Sequence, residues 1–155
     1  MTSSVVTPLV LRRSYPRDRL CVFDAFASAH AMEQWFSPAS DIATKIIEFD
    51  FRSGGRYRIA FSLPDGTETS LRGEFTRIDR PIQLCFTWRW EKPDPHAGLD
   101  TFVTIDFIDK GAITEVVVSH AKMEDSEARD RHSAGWWGAL ERLHAWLELT
   151  TVRTE

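Results

Sequence analysis

The stretch from residue 42 to residue 119 constrains the fold most, because apolar and polar side chains alternate along nearly all of it. Aromatic and β-branched residues are frequent there, and turn residues interrupt the alternation at hairpin spacing. This pattern predicts six strands, at 42–51, 56–63, 67–78, 82–91, 99–108 and 112–119. Most of the turns between them are short, which indicates antiparallel neighbours, so we expect a meander.

The predicted sheet has two unlike faces. Side chains two residues apart on a strand point to the same side. Arg56, Arg58 and Arg89 point to one face, and their neighbours point to the other. The second face collects Tyr57, Ile59, Phe61, Leu63, Leu84, Phe86, Trp88 and Trp90. We therefore expect an aromatic face that covers the interior and a polar face in contact with water.

Two short helices are predicted before the meander. A short extended segment at 8–13 is followed by a helix at 17–27, whose apolar residues fall on one side. Ser28 can cap a second helix, which ends before Pro38 because proline cannot continue it. The chain therefore begins with one strand and two small helices.

The clearest helix is predicted at 127–149. Ser126 can act as its cap, and acidic side chains in the first turn suit the helix dipole. Gly135 and Gly138 lie inside this helix, where each costs about 1 kcal/mol relative to alanine, so we expect either a close approach to its backbone there or a groove beside Trp136 and Trp137. Its apolar stripe consists of Trp136, Leu140, Leu143 and Leu147.

The composition describes one ordinary domain. Of the 155 residues, 43% are hydrophobic and 27% charged, and the formal net charge is −4. A chain of this length buries enough surface to form a core without disulfides. We therefore interpret 1–155 as a single domain with its core at about 8–149. The small acidic excess includes no basic cluster of the kind that binds nucleic acid or an anionic membrane, and we expect neither partner.

Cofactor and membrane signals are also missing from the sequence. No apolar stretch approaches the roughly 20 residues that cross a bilayer. Cys21 and Cys85 lie far apart, so we expect free thiols in a reducing compartment, the cytoplasm. Glu141 and His144 form one copy of a Glu-x-x-His motif that metal-binding bundles use twice. Because only one copy is present we expect no metal, and because no phosphate-binding glycine loop is present we expect no nucleotide or other cofactor.

A series of short motifs along nearly the whole chain resembles a known family. In order, these are residues 22–26 (VFDAF), 32–36 (MEQWF), 54–57 (GGRY), 64–66 (PDG), 73–75 (GEF), 86–88 (FTW) and 135–136 (GW) leading to 139–140 (AL). The chain is similar to START-like, or SRPBCC, proteins, and among them to the C-terminal domain of the activator of Hsp90 ATPase. The resemblance implies an α+β helix-grip fold of the Bet v 1 type. Such a fold has a curved antiparallel sheet of six to seven strands around a long C-terminal helix, with two short helices after the first strand.

The resemblance further implies an apolar cavity between the curved sheet and the C-terminal helix. Large rings can line such a space without filling it. We expect binding of a small hydrophobic or amphipathic molecule there. Polar groups that could orient it are His120 at the end of the last strand, and Arg129, His132 and Ser133 on the helix. The expected apolar lining is Trp35, Phe36, Tyr57, Ile59, Phe61, Phe75, Phe86, Trp88, Trp90, Trp136 and Leu140.

Three alternatives stay open. In the first, the rings simply fill a solid core, which is the usual role of apolar stripes. In the second, the protein is an interaction module that docks on a chaperone of the Hsp90 type or on another protein, and its sheet edges also allow a homodimer. In the third, the cavity belongs to an enzyme of the cyclase or dehydratase kind, in which His120, with Glu33 or Glu74, transfers a proton. We expect binding without turnover.

Overall fold

The structure is a computed structural model that describes residues 7–152, with side chains as far as residue 149. The strands in this part of the chain are β1 (Leu9–Tyr15), β2 (Ala43–Phe49), β3 (Arg56–Ser62), β4 (Glu68–Asp79), β5 (Gln83–Trp90), β6 (Thr101–Asp109) and β7 (Thr114–Ala121). The helices are α1 (Arg19–Asp24), α2 (Ala29–Trp35) and α3 (Ser126–Val152). None of the helices within the described residues is long and apolar enough to cross a membrane.

All seven strands pair in one antiparallel sheet, in the order β1-β7-β6-β5-β4-β3-β2. Strands β2 to β7 are the predicted meander, and each strand lies within two residues of its predicted bounds. Strand β1 pairs with β7 at the far edge, where Leu9 is opposite His120 and Tyr15 is opposite Thr114. The sheet curves around α3. The expected helix-grip fold, with two short helices after the first strand, is confirmed.

The first helix is shorter than the predicted helix at 17–27. Asp18 caps α1, because its carboxylate accepts a hydrogen bond from the backbone N–H of Cys21 at 2.8 Å. After the helix ends, the chain continues in tighter turns in which the N–H of Phe26 donates to the carbonyl of Phe23 at 2.9 Å. The apolar spacing therefore persists to about residue 27 although the α-helix does not.

The cap of the long helix also differs from the prediction. The carboxylate of Asp125 accepts from the backbone N–H of Ala128 at 3.0 Å, and Ser126 is already the first helical residue. Both residue types are good caps, so the local sequence does not distinguish a one-residue shift between them. Ser28 does cap α2 as predicted, since its hydroxyl accepts from the N–H of Ala31 at 3.2 Å.

The core lies between the concave face of the sheet and α3. The aromatic faces of β3 and β5 are largely buried there, as is the whole predicted stripe of α3. Tyr15 at the end of β1 adds a polar contact, because its hydroxyl donates to the backbone carbonyl of Leu140 at 2.8 Å. Burial raises the pKa of Tyr15, so this hydroxyl stays protonated and remains a donor.

The segment between α2 and β2 passes very close to α3 at Gly138. A Cβ at position 138 would overlap the backbone carbonyl of Pro38, so a side chain there would displace this segment. Gly135 has more room, because the nearest atom to a Cβ there would be the Cβ of Pro38 at 3.7 Å. The close approach expected at the two glycines is thus confirmed at Gly138, and the contact at Gly135 is an ordinary one.

Gly138→Ala is predicted to lower the free energy of unfolding by about 1–3 kcal/mol, the usual cost of overpacking, although alanine favours the helix. Gly135→Ala is the matched control in the same helix and is expected to leave stability unchanged or raise it by up to about 1 kcal/mol. Urea unfolding followed by far-UV circular dichroism measures both. Equal effects of the two substitutions would show that Pro38 moves aside without cost.

Candidate functional site

A cavity of about 360 Å³ lies between the concave face of the sheet and the N-terminal half of α3. The segment that follows α2 closes one side of it, and the ends of β3 and β5 close the other. The rings that line it belong to Phe36, Phe61, Trp88, Trp90 and Trp136. Its volume is within the range of natural small-molecule sites.

The cavity depends on a difference in side-chain size between the helix and the sheet. On α3, Gly135 and Ala139 lie four residues apart and therefore on one side of the helix, and both line the cavity. Large indoles on β5 face this part of the helix. Further along α3, Leu143 and Leu147 are buried in the core instead. The small residues of the helix thus leave open the space that leucines fill one to two turns later.

Three rings separate this cavity from a smaller void. The centroid distances are 5.4 Å for Trp88–Trp136, 5.9 Å for Phe36–Trp136 and 6.2 Å for Phe36–Trp88, so each ring contacts the other two. The void on their other side measures about 20 Å³, which is room for about one water molecule. The same three rings line both spaces, and the void is further lined by Phe26, Met32, Phe49, Tyr57, Ile59, Leu71, Phe75, Leu84 and Phe86.

His120 links the helix to the sheet behind the cavity. The indole N–H of Trp136 donates to its Nδ1 at 3.1 Å, and because an indole can only donate, Nδ1 carries no proton. The proton is therefore on Nε2, which donates to the hydroxyl of Thr101 at 2.8 Å. That hydroxyl donates in turn to the backbone carbonyl of Trp88 at 3.0 Å. Burial, together with nearby His132, lowers the pKa of His120 to about 3, so the ring is neutral.

His132 on α3 is held in the same way. The indole N–H of Trp90 donates to its Nε2 at 2.9 Å, so the proton lies on Nδ1, which donates to the carbonyl of Ala128 at 2.7 Å. Burial lowers the pKa of His132 more than the Ala128 carbonyl raises it. Both histidines are thus neutral groups that fix the orientation of a tryptophan ring in the cavity wall.

An ion pair lies beside these rings at the edge of the cavity. The guanidinium of Arg131 donates to both carboxylate oxygens of Asp94, at 3.1 and 2.7 Å. Asp94 also accepts from the hydroxyl of Thr69 at 3.3 Å and from the backbone N–H of His96 at 2.8 Å. Arg131 lies over the Trp90 ring at 5.9 Å from its centroid. Arg131 is therefore a charged group in the wall whose position is fixed from two sides.

The structure brings together ten of the predicted site residues. Six of them line the cavity and four line only the smaller void. Three of the six, Phe36, Trp88 and Trp136, also line the void. Phe36, Phe61, Trp88, Trp90, His132 and Trp136 line the cavity. Tyr57, Ile59, Phe75 and Phe86 line the smaller void.

Three further predicted residues are core residues that line neither space. Trp35 is fully buried, and its indole N–H donates to the carbonyl of Ala25 at 2.9 Å. Leu140 is fully buried under the sheet. His120 is also fully buried, behind Trp136. Trp35 and Leu140 follow the same apolar pattern as the lining residues, so only their three-dimensional positions distinguish them.

On α3, the cavity-lining residues only partly match the predicted ones. Arg129 and Ser133 do not line the cavity, and the Arg129 guanidinium donates instead to a backbone carbonyl just before β1 at 2.7 Å. Arg131 lines it and was not predicted. The available signal was its spacing, because Gly135 and Ala139 follow at four-residue intervals and mark the side of the helix that faces open space.

The groups considered for acid or base chemistry do not meet. Glu33 on α2 accepts from the backbone N–H of Ile46 at 2.7 Å, at the exposed edge of the sheet. Glu74 is exposed on the outer face of the sheet. His120 has both nitrogens bonded and no exposed surface. Among the described residues, no three His, Cys, Asp or Glu side chains are grouped so that they could hold a metal ion.

A curved antiparallel sheet around a C-terminal helix, with a ring-lined cavity between them, defines a helix-grip protein of the START-like superfamily. The model of the family described as Activator of Hsp90 ATPase homolog 1-like protein matches residues 15–148. The chain therefore belongs to this family. Among curated proteins, none matches the chain significantly in sequence.

Solved structures share the fold at low sequence identity. An AHSA1 protein from Silicibacter pomeroyi is 23% identical with a TM-score of 0.82, and the match covers 92% of this chain and 99% of that one. A protein from Chromobacterium violaceum is 22% identical with a TM-score of 0.82, over 92% and 97% of the two chains. A protein from Staphylococcus epidermidis is 19% identical with a TM-score of 0.80, over 96% and 93%. These similarities establish the fold alone.

Acid is predicted to destabilise the protein through His120. Unfolded, this histidine takes up a proton near pH 6.5, whereas in the folded protein its pKa is about 3. Below pH 6.5 the unfolded state therefore binds the extra proton, and the free energy of unfolding falls as the pH falls. The loss due to His120 should be about 2–3 kcal/mol between pH 7 and pH 4.5.

Urea unfolding of the wild type and of His120→Gln at both pH values measures this effect. The variant should lose less stability on acidification, because it lacks the histidine while the carboxylates titrate in both proteins. Parallel losses in the two proteins would contradict the prediction.

Proposed function

We propose that this protein binds a small hydrophobic or amphipathic molecule in the cavity between its curved sheet and α3. The observation that carries this proposal is the cavity of about 360 Å³, which is lined by five aromatic rings and a few polar groups. A protein whose rings only filled a core would have no reason to keep such a space, because interiors are normally close-packed. Folds of this type commonly hold ligand cavities, although the fold by itself names no ligand.

The affinity would come mainly from apolar contact. Covering ligand surface with these rings contributes about 25 cal/mol per Å², and edge-to-face or offset ring pairs add about 0.5–1.5 kcal/mol each. The indoles of Trp90 and Trp136 are already held by His132 and His120. Little side-chain freedom is therefore lost when a ligand binds, which favours affinity.

Binding without turnover agrees best with the arrangement of His120. A general base must reach the proton that it removes. Here the lone pair of His120 accepts the Trp136 N–H, and the ring has no exposed surface. A bound molecule would therefore meet rings and hydrogen-bond donors rather than a free base.

Native mass spectrometry of the freshly purified protein is the direct test, with extraction and identification of any bound small molecule. Titration with the neutral fluorophore N-phenylnaphthylamine then measures the capacity of the cavity. We expect saturable binding of one molecule per chain, displaced by any molecule recovered from the purified protein. A single unliganded mass together with no fluorophore binding would contradict the proposal.

A cavity-blocking variant locates the binding. Ala134 lies on an exposed part of α3 and lines the cavity, so Ala134→Phe should weaken fluorophore binding roughly tenfold or more, or at least 1.4 kcal/mol. Ala145→Phe is the matched control, because residue 145 is exposed on the same helix and does not line the cavity. Equal affinities of the two variants would place the fluorophore elsewhere.

A further inference from the structure

The polar atoms of the cavity wall differ in what they can still bind. The indole N–H groups of Trp90 and Trp136 are taken by histidines, and His132 has both nitrogens bonded. The indole N–H of Trp88 is buried and has no hydrogen-bond partner among residues 7–149, and Trp88 is only 6% exposed. Because that nitrogen has almost no accessible surface, a ligand in the cavity does not reach it, and none of the three indoles offers the ligand a free donor.

Arg131, in contrast, has donors that a ligand can reach. A guanidinium has five N–H donors in a fixed fork, and Arg131 directs one from each of two nitrogens to Asp94. The remaining donors have no partner among the described residues. Because the guanidinium fork matches a carboxylate geometrically, they suit a second carboxylate better than a single point acceptor.

The two members of the ion pair are not equally accessible. The Arg131 side chain is 44% exposed and lines the cavity, whereas the Asp94 side chain is 1% exposed and does not line it. The carboxylate oxygens of Asp94 moreover already accept hydrogen bonds from Arg131, Thr69 and the backbone N–H of His96. A molecule in the cavity therefore meets the cation of the pair, and the anion lies behind it.

We propose that the cavity takes an aromatic carboxylate, whose rings lie among Phe36, Phe61, Trp88 and Trp136 and whose carboxylate binds the free donors of Arg131. This inference rests on the proposed function and names the chemical class of its ligand. The neutral histidines add no charge to the wall, and Arg131 is the charged side chain among its lining residues. An ammonium ligand would meet the same guanidinium and be repelled by it.

Asp94 sets the strength of this preference. Its charge lies directly behind Arg131 and partly cancels the attraction for an anionic ligand. Asp94→Asn keeps an oxygen acceptor for the guanidinium but removes the opposing charge. The structure therefore predicts an increase in carboxylate affinity from a substitution outside the cavity lining, which a purely apolar site would not show.

Three probes of nearly equal shape test the inference: naphthoate, naphthamide and naphthylmethylamine. In the wild type we expect naphthoate to bind about fivefold more tightly than naphthamide, and naphthylmethylamine to bind most weakly. In Asp94→Asn the preference for naphthoate over naphthamide should grow a further several-fold. In the double variant Asp94→Asn/Arg131→Gln it should fall to within about twofold of unity. Isothermal titration calorimetry at low and moderate salt measures the affinities of the three probes. Added salt should reduce the preference for naphthoate over naphthamide and leave the affinity for neutral naphthamide unchanged.

A surface ion pair supplies the matched controls. Arg89 donates to Asp100 at 3.0 Å on the outer face of the sheet, away from the cavity lining. Asp100→Asn and Asp100→Asn/Arg89→Gln change the net charge by the same amounts as the two cavity variants. They should leave the naphthoate preference of the wild type unchanged. A preference that follows net charge in both sets would overturn the inference.

The outcomes separate this inference from the proposed function. Binding of naphthamide or naphthylmethylamine as tightly as naphthoate in the wild type would overturn the carboxylate inference and leave the binding function intact. If none of the three probes nor N-phenylnaphthylamine binds, both fail. Circular dichroism checks that each variant folds. If the double variant is unfolded, Asp94→Asn alone decides, because an unchanged naphthoate preference in it would overturn the inference.

Discussion

A chain of hydrogen bonds through His120 joins the long helix to three neighbouring strands. It runs from Trp136 on α3 to His120 on β7, then to Thr101 on β6 and to the backbone carbonyl of Trp88 on β5. Every member is buried or contributes a buried atom, so each donor and acceptor needs the next one. The chain works only with a neutral histidine, since protonated Nδ1 could no longer accept from Trp136. It thereby fixes the Trp136 ring, one of the three that divide the cavity from the void.

The cavity itself results from the distances that separate α3 from the segment around Pro38 and from strand β5. Gly138 lets the backbone of Pro38 lie against α3, and Gly135 and Ala139 leave room beside it. Opposite them, the Trp90 indole of β5 is held by His132 and cannot collapse into the space without breaking that hydrogen bond. Packing that is tight at Gly138 and open one turn away is therefore what produces a site in an otherwise close-packed interior.

The fold tolerates wide changes of sequence, whereas the polarity of the cavity depends on single side chains. Structures that are 19–23% identical to this chain superpose with TM-scores of 0.80–0.82. Alternation and turn residues suffice for such an architecture, and many side chains satisfy them. Arg131 and its buried partner Asp94 are not required by the architecture in this way. These two side chains set the charge that a ligand meets in the cavity wall.

The sequence by itself determined the order of strands and helices, because those signals are local, and its resemblance to START-like proteins implied how they pack. Alternation and hairpin turns located the strands of the meander, and the leucine stripe located α3. Boundaries such as the Asp125 cap were missed by one residue, since two good capping residues are adjacent. Only the tertiary structure decided which apolar residues bound a space and which fill it. Trp35 and Trp136 look alike in sequence, yet one is core and the other is cavity wall, because the distance between remote elements decides that difference.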